Sequence, residues 1–509
     1  MTALVASLDK NSYGLADQGK SLSHENHFGL PSKWEPRYPN DHTTQGRFEY
    51  QMDDLVVYGR IPNEIEGTWY RAHPDSRVTQ PPNFPFIDGV GFVSALRINN
   101  GGASIRGRYV ETERYLLERK DGRRLFGRYR NPYDNHPCLQ LANDSTANTN
   151  VIHWAGDVLA ISERGLPYAV NPDTLETRTF DPYGGQVSAR TFTAHPKVDP
   201  LTNKLVTFAI TAKGLQSDDI VTYSIDTKGR IENEFWFKQD NRGWSHDCWV
   251  TENWIVLSNM PFTTNSDEEM MTPDADYWKF VPGRAQEFLV APRYPGASPP
   301  EGWKEGDPFT SFNIFDFWNP DGYQLPEPKS DYVRWTIELQ QPSGSKVSPP
   351  KVLYPRMCEF PRFDDRFLTR QTKIAFLVGL GGPSNGAPPM NKLIKLNTET
   401  GEMEVFNAAP GGSFEEPAFV PRSPNAPEGD GYLPFHSSRP SSPKSELILL
   451  DTNEFSRPVA VIQLPWADRN QVHGSWVPNP YPDQPLVPLG SPIKDHIPSV
   501  KYGPLAKIQ

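Results

Sequence analysis

The sequence predicts an all-β fold of many short strands, with a β-propeller favoured over a sandwich, and three observations lead there. Proline is dense at 52 of 509 residues, about twice the usual share of roughly 5%. That density breaks helices and favours short strands joined by turns. Short runs rich in Val, Ile and aromatic residues recur, and nearly all end on Gly, Pro, Asp or Asn. A turn phrase opening on Asp or Asn also recurs along the chain.

Taken in chain order, residues 1–35 are polar and lack periodicity, and read as a flexible N-terminal arm. Residues 36–509 show no clear linker and read as a single domain. The expected strands include LVVYGRIP (55–62), GTWYRA (67–72), GFVSALRI (91–98), LVTFAITA (205–212), DIVTYSI (219–225), KIAFLVG (373–379) and ELILLD (446–451). The turn phrases are NPDTLET (171–177), DPLTNK (199–204), DTKGR (226–230), NTETGE (397–402) and DTNEF (451–455). In each, Asp or Asn bonds its own backbone to start the turn, and Gly, where present, permits a positive φ. Repeated hairpins of one kind suggest blades, although such turns also occur in other β folds. Residues 271–328 are richer in Pro, Trp and charge, and are expected to carry long loops.

The formal net charge of −11 argues against a nucleic-acid partner, which calls for a basic stripe. The three cysteines, Cys138, Cys248 and Cys358, are too few and too scattered for a disulfide framework or a thiolate metal site. No apolar run reaches the length that crosses a bilayer. The opening residues lack the basic and apolar regions of a secretory signal. The expectation is a soluble cytoplasmic protein.

Eleven histidines are present. His195 in FTAHPKVDP, His246 in GWSHDCWV and His473 in QVHGSWVP each lie at a strand end beside aromatic or small residues. None has helical metal-site spacing, so a site made of them needs a fold that brings distant strands to one axis. Imidazole suits iron, zinc, copper and nickel alike, and each histidine taken singly also fits a structural role. Ligand histidines usually give their other ring N–H to a carboxylate. Glu163, Glu359 and Glu416 sit in otherwise apolar contexts and are the acids placed for it.

Ordered motifs then extend over most of the chain. They are IEGTWYR (65–71), DGVGFVSAL (88–96), YRNPY (129–133), STANTNV (145–151), FTAHP (192–196), EFPRFDDR (359–366), EPAFVPR (416–422), EGDGY (428–432) and VHGSW (472–476). With them the chain resembles the carotenoid cleavage oxygenases, most of all the stilbene-cleaving branch of resveratrol and lignostilbene dioxygenases. The resemblance implies a seven-bladed propeller with a loop and helix cap over an axial Fe(2+) site of four histidines, three of them backed by glutamates. Carried over residue by residue, His195, His246 and His473 match ligands, and Glu163, Glu359 and Glu416 match the acids behind the ligands. Thr149 matches a residue whose methyl leans toward a free coordination position, and Tyr129 matches the tyrosine that orients a substrate phenol.

Two positions depart from the pattern. The segment matching the third ligand reads TSFNIFD, which puts Thr310 where a histidine is expected. Ser162 stands where stilbene-cleaving relatives carry lysine. His436 in YLPFHSS is expected to be structural. The resemblance therefore implies an iron oxygenase with a three-histidine site that splits the double bond of an aromatic or other conjugated alkene with O2. Isomerisation without cleavage and a non-catalytic binding propeller are the alternatives.

Overall fold

The computed structural model describes residues 47–78, 87–139, 144–239, 242–272, 275–282, 284, 286–294, 331–339, 341, 345–381, 390–438, 444–469 and 472–479. The expected arm and Thr310 lie outside the described residues, as does most of the 271–328 stretch. Every strand expected from the sequence forms, including Val56–Gly59, Gly67–Asp75, Val90–Asn99, Lys204–Ala209, Asp219–Ile225, Ile374–Leu380 and Glu446–Asp451.

The turn phrases act as their chemistry dictates. Asn171 Oδ1 accepts from the backbone N–H of Asp173 and Thr174 at 2.8 and 3.1 Å. Asp226 Oδ1 does the same for Lys228 and Arg230 at 2.9 and 2.8 Å. Asn397 Oδ1 accepts from Glu399 and Thr400 at 3.0 and 3.1 Å. Asp199 and Asp451 repeat the motif toward Leu201 and Asn453. Each side chain stands in for a backbone carbonyl and reverses the chain between antiparallel strands.

These hairpins build an all-β propeller of six antiparallel sheets of three or more strands among the described residues. The first blade orders Tyr50–Met52, Gly102–Tyr109, Val90–Asn99, Gly67–Asp75 and Gly474–Pro478. The second runs from Asn150–Trp154 to Thr177–Phe180, and the third from Lys197–Asp199 to Ile231–Lys238. The fourth holds Cys248–Val250, Trp254–Asn259 and Glu287–Pro292. The fifth runs from Cys358–Arg362 to Met403–Asn407. The sixth joins Ser413–Phe414, Gly431–Ser438, Glu446–Asp451, Pro458–Gln463 and Val56–Gly59, with Val420–Pro421 also on Gly431–Ser438.

The seven blades implied by the resemblance are thus corrected to six. The remaining described pairs, Phe262–Thr264 with Trp278–Phe280 and Tyr332–Arg334 with Lys351–Tyr354, are two-stranded ribbons without the outer strands of a blade.

Chain ends close the ring twice. Val56–Gly59 pairs with Pro458–Gln463, and Gly67–Asp75 pairs with Gly474–Pro478, so early strands complete late sheets and late strands complete early ones. Core residues lie between neighbouring sheets. Trp154, Leu159, Phe192, Leu205 and Val221 pack the second blade on the third, and Phe376, Leu393, Phe414, Leu433 and Leu450 pack the fifth on the sixth. Burial of this apolar surface is the main favourable term in holding blades together.

Candidate metal centre

Five of the six blades start a strand at one sheet edge just after a site residue, or carry the residue on that strand. Thr149 precedes Asn150–Trp154, His195 precedes Lys197–Asp199, His246 precedes Cys248–Val250, His473 precedes Gly474–Pro478, and Glu359 lies on Cys358–Arg362. In the sixth blade Glu416 lies between Ser413–Phe414 and Val420–Pro421. Radial arrangement of blades turns these edges toward one axis, so residues far apart in sequence meet there.

His195, His246 and His473 come together with one ring nitrogen each within 4.8 Å of the others. His195 Nε2 and His246 Nε2 are 3.1 Å apart. The His195 ring stands nearly edge-on to both others, with centroids 4.5 Å away in each case.

Buried carboxylates hold two of the rings. Glu163 Oε1 accepts from His246 Nδ1 and from Trp244 Nε1 at 3.3 Å. Glu416 Oε1 accepts from His473 Nδ1 at 3.0 Å, and its Oε2 accepts from the Gly474 N–H at 3.0 Å. His195 is tied instead through its backbone N–H, which donates to Thr193 Oγ1 at 2.9 Å. Its Nδ1 is 3.9 Å from Asp247, which also pairs with Lys197 at 2.6 Å.

Electrostatics follow this layout. Burial works to raise the Glu163 pKa, but His246 and Arg130 outweigh it and hold the carboxyl below its usual range. Glu416 is lowered in the same way, burial being outweighed by His473 and Arg362. Burial opposes charge on His246, yet Glu163 raises its pKa. His195 is held well below the imidazole range, first by burial and then by the two neighbouring histidines.

This donor set fits a divalent metal. With the Nδ1 protons of His246 and His473 engaged by carboxylates, their Nε2 atoms carry lone pairs, and neutral imidazole is the form that binds metal. The 3.1 Å between His195 Nε2 and His246 Nε2 is bridged by a shared proton in the metal-free protein, and a cation that displaces this proton finds a lone pair on each ring.

Thr149 Oγ1 donates to Asn148 Oδ1 at 3.0 Å, which fixes its rotamer. Asn148 in turn donates to the carbonyls of Ile87 and Gly89 at 2.8 and 2.7 Å. Tyr129 is buried, with the Arg130 and Arg164 guanidinium groups 5.2 and 5.0 Å from its ring centroid. Its pKa is raised by burial, an effect that Arg130 partly offsets. A bulge between Glu359 and Arg362 breaks the strand register there, and the Phe360 ring packs 5.7 Å from His473. His436 lies on Gly431–Ser438, fully buried, with Nδ1 2.9 Å from Glu415. It belongs to a separate cluster with Arg71 and Asp468.

Sequence reasoning missed Arg130, Trp244 and Arg362, which contact Glu163 or Glu416. All lie within the quoted motif segments, so the signal was proximity in sequence to a recognised residue and nothing more.

The family model described as Retinal pigment epithelial membrane protein, that of the carotenoid oxygenases, matches residues 43–478. The chain belongs to this family. It is 40% identical over 468 residues to resveratrol cleavage oxygenase 1 of Botryotinia fuckeliana, covering 85% of this chain and 84% of that protein. Isoeugenol monooxygenase of Pseudomonas putida is 34% identical over 463 residues, with 84% and 95% covered. The crystal structure of Pseudomonas brassicacearum lignostilbene dioxygenase superposes with a TM-score of 0.78 at 32% identity, covering 87% of this chain and 99% of that one. Membership makes this carotenoid-oxygenase-family protein an enzyme of the oxygenase class. No helix among its described residues is long and apolar enough to cross a membrane.

Proposed function

We propose that this protein is a non-haem iron oxygenase that splits the C=C bond of a phenylpropene- or stilbene-like alkene into two carbonyl fragments. His195, His246 and His473 serve as its iron ligands, and Thr310 stands in place of a fourth histidine. The observation that carries the proposal is the convergence of three histidines from three blades, two of them backed by buried carboxylates. Relatives named for resveratrol, isoeugenol and lignostilbene support the substrate class.

Held by these three histidines, Fe(II) would supply the redox chemistry that lets O2 react with a closed-shell alkene. The chain's own residues do the rest. Glu163 and Glu416 fix which ring nitrogen of His246 and His473 faces the centre. Tyr129 holds the aromatic end of the substrate through its hydroxyl. Among the described residues Ser162 Oγ is buried without a hydrogen-bond partner, and it offers a second polar contact to a ring oxygen. Thr149, with its hydroxyl held by Asn148, limits what approaches the ligands. Residues 36–509 act as one domain, a reading supported by strands from both ends closing the same ring. A cytoplasmic setting is supported by the three free cysteines.

The test is mass spectrometry of products from isoeugenol and from resveratrol under 18O2, with rapid borohydride trapping. Cleavage adds one oxygen atom from O2 to each carbon of the former double bond. Two fragments, each carrying one 18O, are expected. An isomerised alkene of unchanged mass would support isomerisation instead, and tight substrate binding without turnover would support a binding propeller.

A further inference from the structure

We propose that Arg130 is a positioning residue that couples the metal ligand His246 to the substrate-binding Tyr129; the inference rests on the iron reading above. Its Nη2 donates to Glu163 Oε2 at 2.6 Å, while Glu163 Oε1 serves His246 and Trp244. Arg130 and Glu163 are 4% and 5% exposed, so water does not compete for the carboxylate. The Arg130 guanidinium also lies 5.2 Å from the Tyr129 ring centroid, so one side chain borders both the carboxylate and the tyrosine.

Comparison of the two carboxylates singles this residue out. Glu416 has its second oxygen held by the backbone N–H of Gly474, which no substitution at a distance removes. Glu163 has its second oxygen held by a side chain from another part of the chain. If that donor is lost, the buried carboxylate is free to rotate, which changes what His246 Nδ1 meets.

The local fold is built to deliver this guanidinium. Arg130 has φ 61°, in the left-handed region that non-glycine residues seldom adopt. The turn is braced by Asn131, whose Nδ2 donates to the carbonyls of Met270 and Ala275 at 2.9 and 3.0 Å. The guanidinium lies 5.6 Å from the Trp278 ring centroid and 5.9 Å from that of Tyr277. Its planar guanidinium donates to Glu163 while lying against the Tyr129 ring, a pair of contacts that the compact ammonium of lysine does not reproduce.

The experiment titrates Co(II), followed by its visible absorption, into the full-length protein and into Arg130→Met and Arg130→Lys. KM for isoeugenol is measured on the iron-loaded forms. R130M is expected to bind Co(II) about 10–100-fold more weakly. R130K is expected to bind Co(II) within about threefold of the unmodified protein while KM rises about tenfold. In a Glu163→Gln background, R130M is expected to add less than about a twofold further loss, because both changes act through one carboxylate.

R130M binding Co(II) as tightly as the unmodified protein overturns the inference, as do R130M and E163Q losses that simply multiply. Should R130M fail to fold, R130K decides: kept Co(II) binding with a raised KM supports the coupling, and an unchanged KM overturns it. An unmodified protein that binds neither Co(II) nor iron removes the iron reading and this inference together. Metal bound equally by every form removes the inference alone.

Discussion

Glu416→Gln is the sharpest perturbation of the centre, because it keeps shape and removes one thing. Glu416 is 4% exposed and receives two donors, His473 Nδ1 and the Gly474 N–H, each at 3.0 Å. A carboxylate offers an oxygen to both. Glutamine offers one oxygen and one NH2, so one donor must face another donor. The backbone N–H cannot change, but the imidazole can move its proton to Nε2, which then no longer presents a lone pair. Loss of a charge-assisted hydrogen bond costs about 1.5–3 kcal/mol. At ~1.4 kcal/mol per tenfold, that is about 10–100-fold in metal affinity, as is typical for groups behind metal ligands. Co(II) or Fe(II) titration of E416Q reads this directly. Glu359→Gln is the control, and should cost less than about threefold, because the position matched to its histidine partner is Thr310. Equal affinity of E416Q and the unmodified protein would refute the claim that Glu416 sets the His473 tautomer.

Further predictions concern substrate, pH and packing. Tyr129→Phe should lower kcat/KM about tenfold for isoeugenol and leave its 4-deoxy analogue nearly unchanged; equal losses on both would contradict a phenol-binding role. Acid should destabilise the fold well before the surface carboxylates titrate. His73 is buried, and that burial lowers its pKa from 6.5 to about 3, so its contribution is full above pH 6.5 and is lost as pH falls toward 3. Glu415 is lowered from 4.5 to about 2, its burial being outweighed by His436 and Arg71, so its contribution disappears between pH 4.5 and 2. Tm should therefore fall steadily from pH 7 to 4 in the metal-free protein, and a flat Tm over that range would contradict the assignment. Gly91→Ala should cost about 2–4 kcal/mol, because a Cβ there meets the Ala147 carbonyl oxygen at 2.0 Å; denaturant unfolding measures it.

Much of the fold was legible because its signals are local. Asn171, Asp226 and Asn397 each bend the chain with their own side chains, and such turns can be read from a few residues. Blade count is not local: it depends on which hairpins gain outer strands, and the Phe262–Thr264 and Trp278–Phe280 pair shows that a strand pair alone does not make a blade. At the centre, ordered motifs name His246, His473, Glu163 and Glu416 but do not pair them; the pairing of His246 with Glu163 and of His473 with Glu416, across 83 and 57 residues, is read from the structure. Arg130 escaped notice for a physical reason. Its role depends on a left-handed backbone and on a contact across 33 residues, and neither leaves a periodic or compositional trace. Asp247 near His195 depends likewise on side-chain placement at a strand entrance.

On the proposed reading three histidines suffice to hold iron, with Thr310 matched in sequence to the missing histidine. Elemental analysis of freshly purified protein, beside Thr310→His prepared identically, tests it most directly. Roughly one iron per chain is expected in the unmodified protein, with T310H at most tightening its retention. Iron found only in T310H would mean that the three histidines do not hold it alone.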